Sequence, residues 1–147
     1  MHPRLLLDLA WSDLAFAATS ALCARERDRR AAQVEQLFAP DAFVALSARS
    51  GFDAYLRALA LPSGSEVLVS GLTIPHMAQI LEAHQLRVVP FALDPKTLAP
   101  AAAELERRAT PRTRAALFAH LFGQRAELGP LHAAARGRWL VWEDCAQ

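Results

Sequence analysis

The sequence predicts an α/β fold, in which a mostly parallel sheet is flanked by helices, and three observations support this. Short apolar runs alternate with helical segments from about residue 43 onward, a pattern typical of right-handed crossovers between parallel strands. The run Trp139–Trp142 has no polar alternation, which predicts a central strand covered on both faces. Glu143 and Asp144 follow it, where open α/β sheets place their ligands.

These two acids have two interpretations that the residues alone leave open. A carboxylate held in a partly dry site can pair with a cationic group on a ligand. The same residues can instead cap the helix that follows the strand.

Composition narrows the class of protein. The 147 residues are 53% hydrophobic and 21% charged with a net charge of +1, which argues against disorder and against nucleic acid as a partner. Cys23 and Cys145 lack metal-ligand spacing, so we expect reduced thiols, no metal site and a cytoplasmic location. Asp8 and Asp13 interrupt the apolar N-terminus, and no run reaches the ~18 apolar residues that span a membrane.

The first 40 residues are predicted to form a helical arm. Ser12 and Asp13 can begin one helix, and a second amphipathic stretch with Val34, Leu37 and Phe38 is ended by Pro40. We expect the main domain to occupy residues 41–147.

The main domain begins with a predicted strand, Phe43–Ser47, and a Ser50-Gly51 turn that opens a helix. The first amides of a helix have no intrahelical partner and carry the positive end of its dipole, so Gly51 could let an anion approach them. An ordinary strand-to-helix turn explains the same residues.

A second strand, Glu66–Ser70, leads to a helix that we expect to run from Pro75 to about His84, with Thr73 as its cap. His76 would lie in its first turn at the ligand end of the sheet, as a ligand contact or as a surface residue. The later predicted elements are strand Arg87–Ala92, helix Ala101–Arg108, strand Ala115–Phe122 and helix Leu128–Ala135.

From about Val34 to Gln147 the order of these motifs resembles the N-terminal part of the DegT/StrS-type sugar aminotransferases, pyridoxal-phosphate (PLP) enzymes of fold type I. Six segments carry the resemblance in the same order: Ser50–Ala54, Ser65–Val67 with Leu72-Thr73, Asp94–Leu98, Thr110–Arg114, His120–Gln124 and Glu143–Gln147. The resemblance implies that residues 41–147 are the N-terminal part of the PLP-binding large domain, and that the cofactor is PLP.

The resemblance also implies roles for single residues. Asp144 would pair with the pyridine nitrogen of PLP and favour its protonated form, and Gln147 would lie near the phenolic oxygen. The amides of Gly51 and Phe52 would hold the cofactor phosphate.

Two positions depart from the family pattern. Phe52 stands where the family usually has Thr, and so offers the phosphate only its amide. Ile74 stands where the family has an aromatic residue that stacks on the cofactor ring, a role that His76 could take over from one turn further on.

The lysine that forms the Schiff base in this family follows the Glu-Asp motif by some tens of residues. The only lysine here, Lys96, lies in an Asp94-Pro-Lys-Thr turn with nothing nearby to lower its pKa, so we expect no catalytic residue in this chain. The resemblance therefore implies a truncated and inactive part of an aminotransferase, which in full length would be a homodimer.

The implied reaction transfers an amino group from an amino donor to a keto-sugar nucleotide, in amino-sugar, polysaccharide or antibiotic biosynthesis. The alternative is a catalytically inactive domain that acts as a binding or interaction module. In fold type I, two later strands separate the first strand from the rest of the sheet. We therefore expect Phe43–Ser47 to lie apart, Ala115–Phe122 to have an unpaired edge, and the chain to self-associate.

Overall fold

A computed structural model of the chain describes residues 9–22, 27–39, 41–123 and 125–145. The chain divides into two compact units, Met1–Val44 and Ala45–Gln147. The first unit contains helices α1 (Trp11–Leu22) and α2 (Arg27–Phe38). Neither helix has a buried residue. The Arg30 guanidinium lies 5.8 Å from the ring centroid of Phe16 and donates a 2.9 Å hydrogen bond to Ser20.

The second unit is an alternating α/β structure whose strands are all parallel. In chain order its elements are α3 (Ala48–Leu59), β1 (Glu66–Ser70), α4 (Pro75–Ala83), β2 (Arg87–Phe91), α5 (Ala102–Arg108), β3 (Thr113–Ala119), α6 (Gly129–Ala135) and β4 (Leu140–Asp144). The sheet order is β2-β1-β3-β4, which confirms the predicted α/β fold with a parallel sheet flanked by helices.

The sheet has one apolar cluster on each face, because its strand side chains alternate between the two faces. On one face Val67, Val69, Ala115, Leu117 and Trp142 pack with residues of α3 and α4. On the other face Leu68, Ala116, Phe118 and Val141 pack with residues of α5 and α6. Burial of each large apolar side chain contributes about 1.5 to 3 kcal/mol, so these two layers hold the unit together.

The segment Phe43–Ser47 is not a strand, contrary to the prediction. Residues 42–45 belong to no ladder of the described sheet, and Phe43 and Leu46 are 70% and 87% exposed. Strand propensity favours an extended backbone, but a strand also needs a hydrogen-bonded neighbour. Without one, the segment stays irregular and leads directly into the cap of α3.

Two further expectations about the sheet are wrong. Strand β3 pairs with β1 on one side and β4 on the other, so the unpaired edge predicted for Ala115–Phe122 lies instead on β4. Strand β3 also ends at Ala119, three residues earlier than predicted, and Phe122 is 82% exposed with a φ of 57°. Strand β4 was predicted to be central, yet within the described residues it pairs with β3 alone.

None of the helices in the described part of the chain combines the length and the apolar character needed to cross a bilayer.

Candidate functional site

Three strands end together at one edge of the sheet. Because they are parallel, Ser70 of β1, Ala119 of β3 and Asp144 of β4 all lie at the carboxyl edge. The Ser70 hydroxyl accepts a hydrogen bond from the Ala119 amide at 3.2 Å and donates to the Leu72 carbonyl at 3.2 Å. Ala119 is in turn paired with Asp144. This edge is where parallel sheets place their ligands.

The two acids of β4 face opposite sides of this edge. Trp142 packs in the α3 and α4 cluster, whereas Val141 packs in the α5 and α6 cluster. Because side chains alternate along a strand, Asp144 lies on the α3 side and Glu143 on the α6 side. Asp144 is only 8% exposed, while the Glu143 side chain is 34% exposed. The fold therefore separates the two acids, which the residues alone leave equivalent and which only the family resemblance tells apart.

A buried histidine contacts both acidic residues, the main chain of Asp144 through its amide and the side chain of Glu143 through its ring. The His120 amide donates to the Asp144 carbonyl at 2.9 Å, and its Nε2 lies 2.9 Å from Oε2 of Glu143. Its Nδ1 accepts a hydrogen bond from the Ala126 amide at 3.2 Å. Its ring lies edge-on to Phe118, with the two centroids 5.1 Å apart. The residue pattern alone assigns no role to His120 or to its contacts with Glu143 and Ala126, although His120 belongs to one of the six segments that carry the family resemblance.

Helix α3 begins earlier than predicted. Ser47 is its N-cap and forms a capping box with Ser50, through hydrogen bonds of 3.1 Å and 3.2 Å in the two directions. The Gly51 amide already donates to the Ser47 carbonyl at 2.9 Å, so Ser50-Gly51 is inside the helix and does not open it. The prediction of that turn is wrong, because the serine cap stabilises a helix start three residues earlier.

The observed start of α3 determines which backbone amides are available to bind an anion. The first turn presents the amides of Ala48 and Arg49, since the Ser50 amide is satisfied by the Ser47 hydroxyl. The role of Gly51 and Phe52 as phosphate contacts stays a prediction, and in this conformation it requires the first turn of α3 to unwind.

Gly51 and Phe52 have packing roles in the observed structure. A Cβ on Gly51 would lie 3.0 Å from the Cβ of Ala45, so glycine lets the preceding segment approach the helix closely. The Phe52 and Tyr55 rings meet Trp142 edge-on, with centroids 5.4 Å and 5.9 Å away. These contacts join α3 to β4 two residues before Asp144.

A groove of about 440 Å³ runs between the start of α3 and helix α4. His76 is exposed and lines it, together with Ser47, Arg49 and Ser50. Asp53 also lines the groove, and a hydrogen bond from His84 holds the pKa of that carboxyl below its ordinary value, with Arg57 adding to the effect. The structure thus brings His76 near the α3 start, but among the described residues Asp144 does not line this groove.

The loop between β1 and α4 departs from the predicted cap. Ile74 is the N-cap of α4 and makes no side-chain cap bond, so Thr73 does not have the capping role predicted for it. The Thr73 hydroxyl and the Trp142 indole nitrogen are both buried without a hydrogen-bond partner in the described part of the chain. Unsatisfied buried polar atoms are costly, and a bound polar ligand could satisfy them. Ile74 is 37% exposed.

Gln147 and Lys96 are the two remaining residues that the sequence analysis discussed. Gln147 lies outside the described residues. Lys96 is exposed in the turn after β2, which is the sheet's outermost strand on the side away from β4.

Fold and site together define the class of this protein. A parallel sheet in the order β2-β1-β3-β4, with a buried acid at its carboxyl edge, has the architecture of the fold type I PLP-dependent aminotransferases. The DegT/DnrJ/EryC1/StrS aminotransferase family matches residues 32–147, and the chain belongs to this family. The recognised resemblance is confirmed, and the family's enzymes use PLP.

Among curated relatives, L-glutamine:2-deoxy-scyllo-inosose aminotransferase of Micromonospora echinospora is 38% identical over 93 residues, which cover 63% of this chain and 22% of that protein. GDP-perosamine synthase of Caulobacter vibrioides is also 38% identical over 93 residues, covering 63% of this chain and 25% of that protein. The chain thus spans about a quarter of the length of these relatives.

Among solved structures, S. venezuelae DesV in complex with a ketimine intermediate is 30% identical and superposes with a TM-score of 0.61, over 67% of this chain and 27% of that one.

Proposed function

We propose that this chain supplies one wall of the cofactor site of a PLP-dependent aminotransferase that acts on a keto sugar. The observation that carries the proposal is the buried Asp144, on the α3 face of the carboxyl edge. A carboxylate there can pair with a pyridinium nitrogen, and burial strengthens that pairing because solvent screens it less.

The neighbouring residues fit PLP in two respects. The unsatisfied Thr73 hydroxyl and Trp142 indole N–H supply buried polar atoms that a ligand could meet. The α3 start supplies first-turn amides, the helix dipole and the nearby Arg49 for a phosphate. When bound, PLP supplies an electron sink for a carbanion next to the substrate nitrogen. The protein's part is to keep the ring nitrogen protonated through Asp144 and to hold the phosphate.

The substrate class is proposed from the relatives. One relative is an L-glutamine:2-deoxy-scyllo-inosose aminotransferase, and another is a GDP-perosamine synthase. We propose a keto sugar, a keto-sugar nucleotide or a related cyclitol as amino acceptor, with an amino acid as donor. The proposed full-length assembly is a homodimer, and the second unit, Ala45–Gln147, would form part of the PLP-binding large domain.

The cofactor site is tested by titrating the ¹⁵N-labelled chain with pyridoxamine 5′-phosphate. This probe has no aldehyde, so it cannot react with Lys96 or with the N-terminus. We expect amide shifts at the α3 start and at Thr73 and Asp144, and inorganic phosphate should reproduce only those at α3. Shifts at Ala48 and Arg49 would indicate the observed helix start, and shifts at Gly51 and Phe52 an unwound first turn.

The matched pair of variants is Asp144→Asn and Glu143→Gln, which remove one charge each from adjacent residues. We expect Asp144→Asn to weaken binding of the probe at least tenfold, because one lost charged hydrogen bond is worth about 1.5 to 3 kcal/mol. Glu143→Gln should change the affinity far less, since its side chain faces α6. Equal losses in both variants would contradict the assignment of Asp144.

A further inference from the structure

His120 and Glu143, together with Cys145, form a cluster beside the proposed cofactor acid. Their potential ligand atoms all lie within 4.8 Å of one another, a separation that would suit a metal ion. The hydrogen bonds of His120 decide between a metal ligand and another role.

The tautomer of His120 follows from its two ring contacts. The Ala126 amide can only donate, so its 3.2 Å hydrogen bond requires a lone pair on Nδ1. In the neutral ring the proton is then on Nε2, which donates it to Glu143 over 2.9 Å. A metal bound at Nε2 would need a lone pair on Nε2, so the ring proton would have to move to Nδ1. There it would face the Ala126 N–H, which is also a donor. The backbone therefore disfavours a metal at this cluster.

The same contacts link three parts of the carboxyl edge. Through its amide His120 holds the carbonyl of Asp144, through Nε2 it holds the side chain of Glu143, and through Nδ1 it holds the loop that follows β3. The side chain of His120 is only 6% exposed, so its ring is fixed by burial as well as by these bonds. Glu143 is directed to the α6 side, and Asp144 is anchored at its main chain.

We propose that His120 is a positioning residue, a neutral Nε2–H imidazole that fixes Glu143 away from the cofactor site and ties the loop after β3 to the end of β4. The value of this arrangement to catalysis rests on the proposed role of Asp144. The tautomer and the hydrogen bonds do not rest on it, so they can be tested without any cofactor.

The first test is ¹⁵N NMR of the ring nitrogens of His120 in the 147-residue chain. We expect Nδ1 to give the signal of an unprotonated ring nitrogen and Nε2 that of an N–H nitrogen, with no change on adding one equivalent of Zn²⁺. An Nδ1–H tautomer, or a Zn²⁺-induced shift that is lost in Glu143→Gln or Cys145→Ser, would overturn the proposal in favour of a metal site.

The second test uses two amide substitutions that each keep one half of the imidazole's bonding. His120→Asn keeps an acceptor near the position of Nδ1, and His120→Gln keeps a donor near the position of Nε2. Hydrogen exchange is then followed at the amides of residues 120 and 126. We expect the residue 126 amide to exchange about tenfold faster in His120→Gln than in His120→Asn, because only the asparagine still accepts its bond.

The amides of Leu68 and Leu117, in the middle of the sheet, are the internal reference. If His120 had a purely structural role, its substitution would speed exchange at these reference amides as much as at residues 120 and 126. That result would overturn the proposal. Binding of pyridoxamine 5′-phosphate tests the proposed cofactor site independently of the role proposed for His120. If Asp144→Asn binds the probe as wild type does, the cofactor site is wrong, while the tautomer result still decides the role of His120.

Discussion

Lys96 is the only lysine in the sequence, so its surroundings decide whether this chain could form a Schiff base with PLP. Its side chain is exposed, and its amide donates to Asp94 Oδ1 at 2.8 Å, as the Thr97 amide does at 2.9 Å. These two amides, led by that of Thr97, hold the pKa of Asp94 below its ordinary value, which marks a stable turn. A lysine that forms a Schiff base is held in a desolvated pocket or beside another cationic group, and an exposed turn offers no such pocket.

We therefore predict that PLP forms no stoichiometric adduct with Lys96. The chain is treated with PLP and borohydride, and the pyridoxyl group is located by mass mapping, with Lys96→Arg as the control that leaves only the N-terminal amine. We expect labelling at Lys96 to be partial and to be unaffected by Asp144→Asn. A stoichiometric adduct that depends on Asp144 would show that Lys96 reaches the cofactor site.

At this scale the sequence correctly predicted that Asp144 and Glu143 lie at the carboxyl end of a strand, while their roles stay predictions. The position of Asp144 was predictable because acids directly after a buried apolar strand lie at a known edge of an α/β sheet. The residues alone left Asp144 and Glu143 equivalent, and only the family resemblance singled out Asp144, because the choice depends on which face of the sheet α3 covers. The role of His120 was equally out of reach, since it depends on contacts with Ala126 and Glu143 that only the folded chain brings together.

At the scale of elements, a buried carboxylate ties the amino ends of three strands together. Glu66 of β1 is 1% exposed. It accepts a hydrogen bond from the Thr110 hydroxyl, and its Oε1 lies 3.0 Å from Arg112 and 3.3 Å from Arg87. Arg87 begins β2, and Thr110 and Arg112 form the turn before β3. The Thr110 hydrogen bond, followed by Arg112 and Arg87, lowers the pKa of Glu66 against the opposing effect of burial.

This lowered pKa predicts an acid-sensitive fold. In the unfolded chain Glu66 titrates near its ordinary value of 4.5, and in the folded chain below it. The stabilisation is therefore fully present above about pH 4.5 and is lost as pH falls through the folded pKa. We expect Glu66→Gln to lower the free energy of unfolding at pH 7 by about 1 to 3 kcal/mol, and by less at pH 3.

Urea unfolding followed by circular dichroism at the two pH values measures this difference. Glu106→Gln is the matched control, because the Glu106 side chain is 52% exposed and its ion pair with Arg136 lies on the surface, where such pairs are worth little. An equal loss at pH 3 and pH 7 in Glu66→Gln would contradict the linkage.

The prediction of elements succeeded where local pattern and tertiary partner agree. Strand β1 was predicted with its observed bounds, because its apolar run is buried on both faces. Helix α3 was predicted to start too late, because Ser47 was assigned to a strand when its side chain is the N-cap. The errors at Phe43–Ser47 and β4 have a different cause, since the position of a strand in a sheet depends on neighbours that no local pattern reveals.

At the scale of the whole molecule, β4 is an open edge of the described sheet. The Asp144 carbonyl accepts a hydrogen bond from the amide of His120, the residue after β3, and backbone groups alternate in direction along a strand. The amides and carbonyls of Val141 and Glu143 therefore point away from β3. Leu140, at the start of the same strand, is 39% exposed. An open edge with an exposed apolar side chain is a surface on which strands from other chains can pair.

We predict that the 147-residue chain self-associates through this edge, as measured by sedimentation velocity across micromolar concentrations. Leu140→Lys should shift the distribution toward the monomer, because a charge on an edge strand opposes strand pairing. Leu72→Lys makes the same change at a 50% exposed leucine in the loop after β1, and should leave the association unchanged. If both lysine variants dissociate the chain equally, net charge and not the edge controls association. A monodisperse wild-type monomer would show that β4 is protected in another way, and would favour a self-sufficient binding module over a part of an aminotransferase.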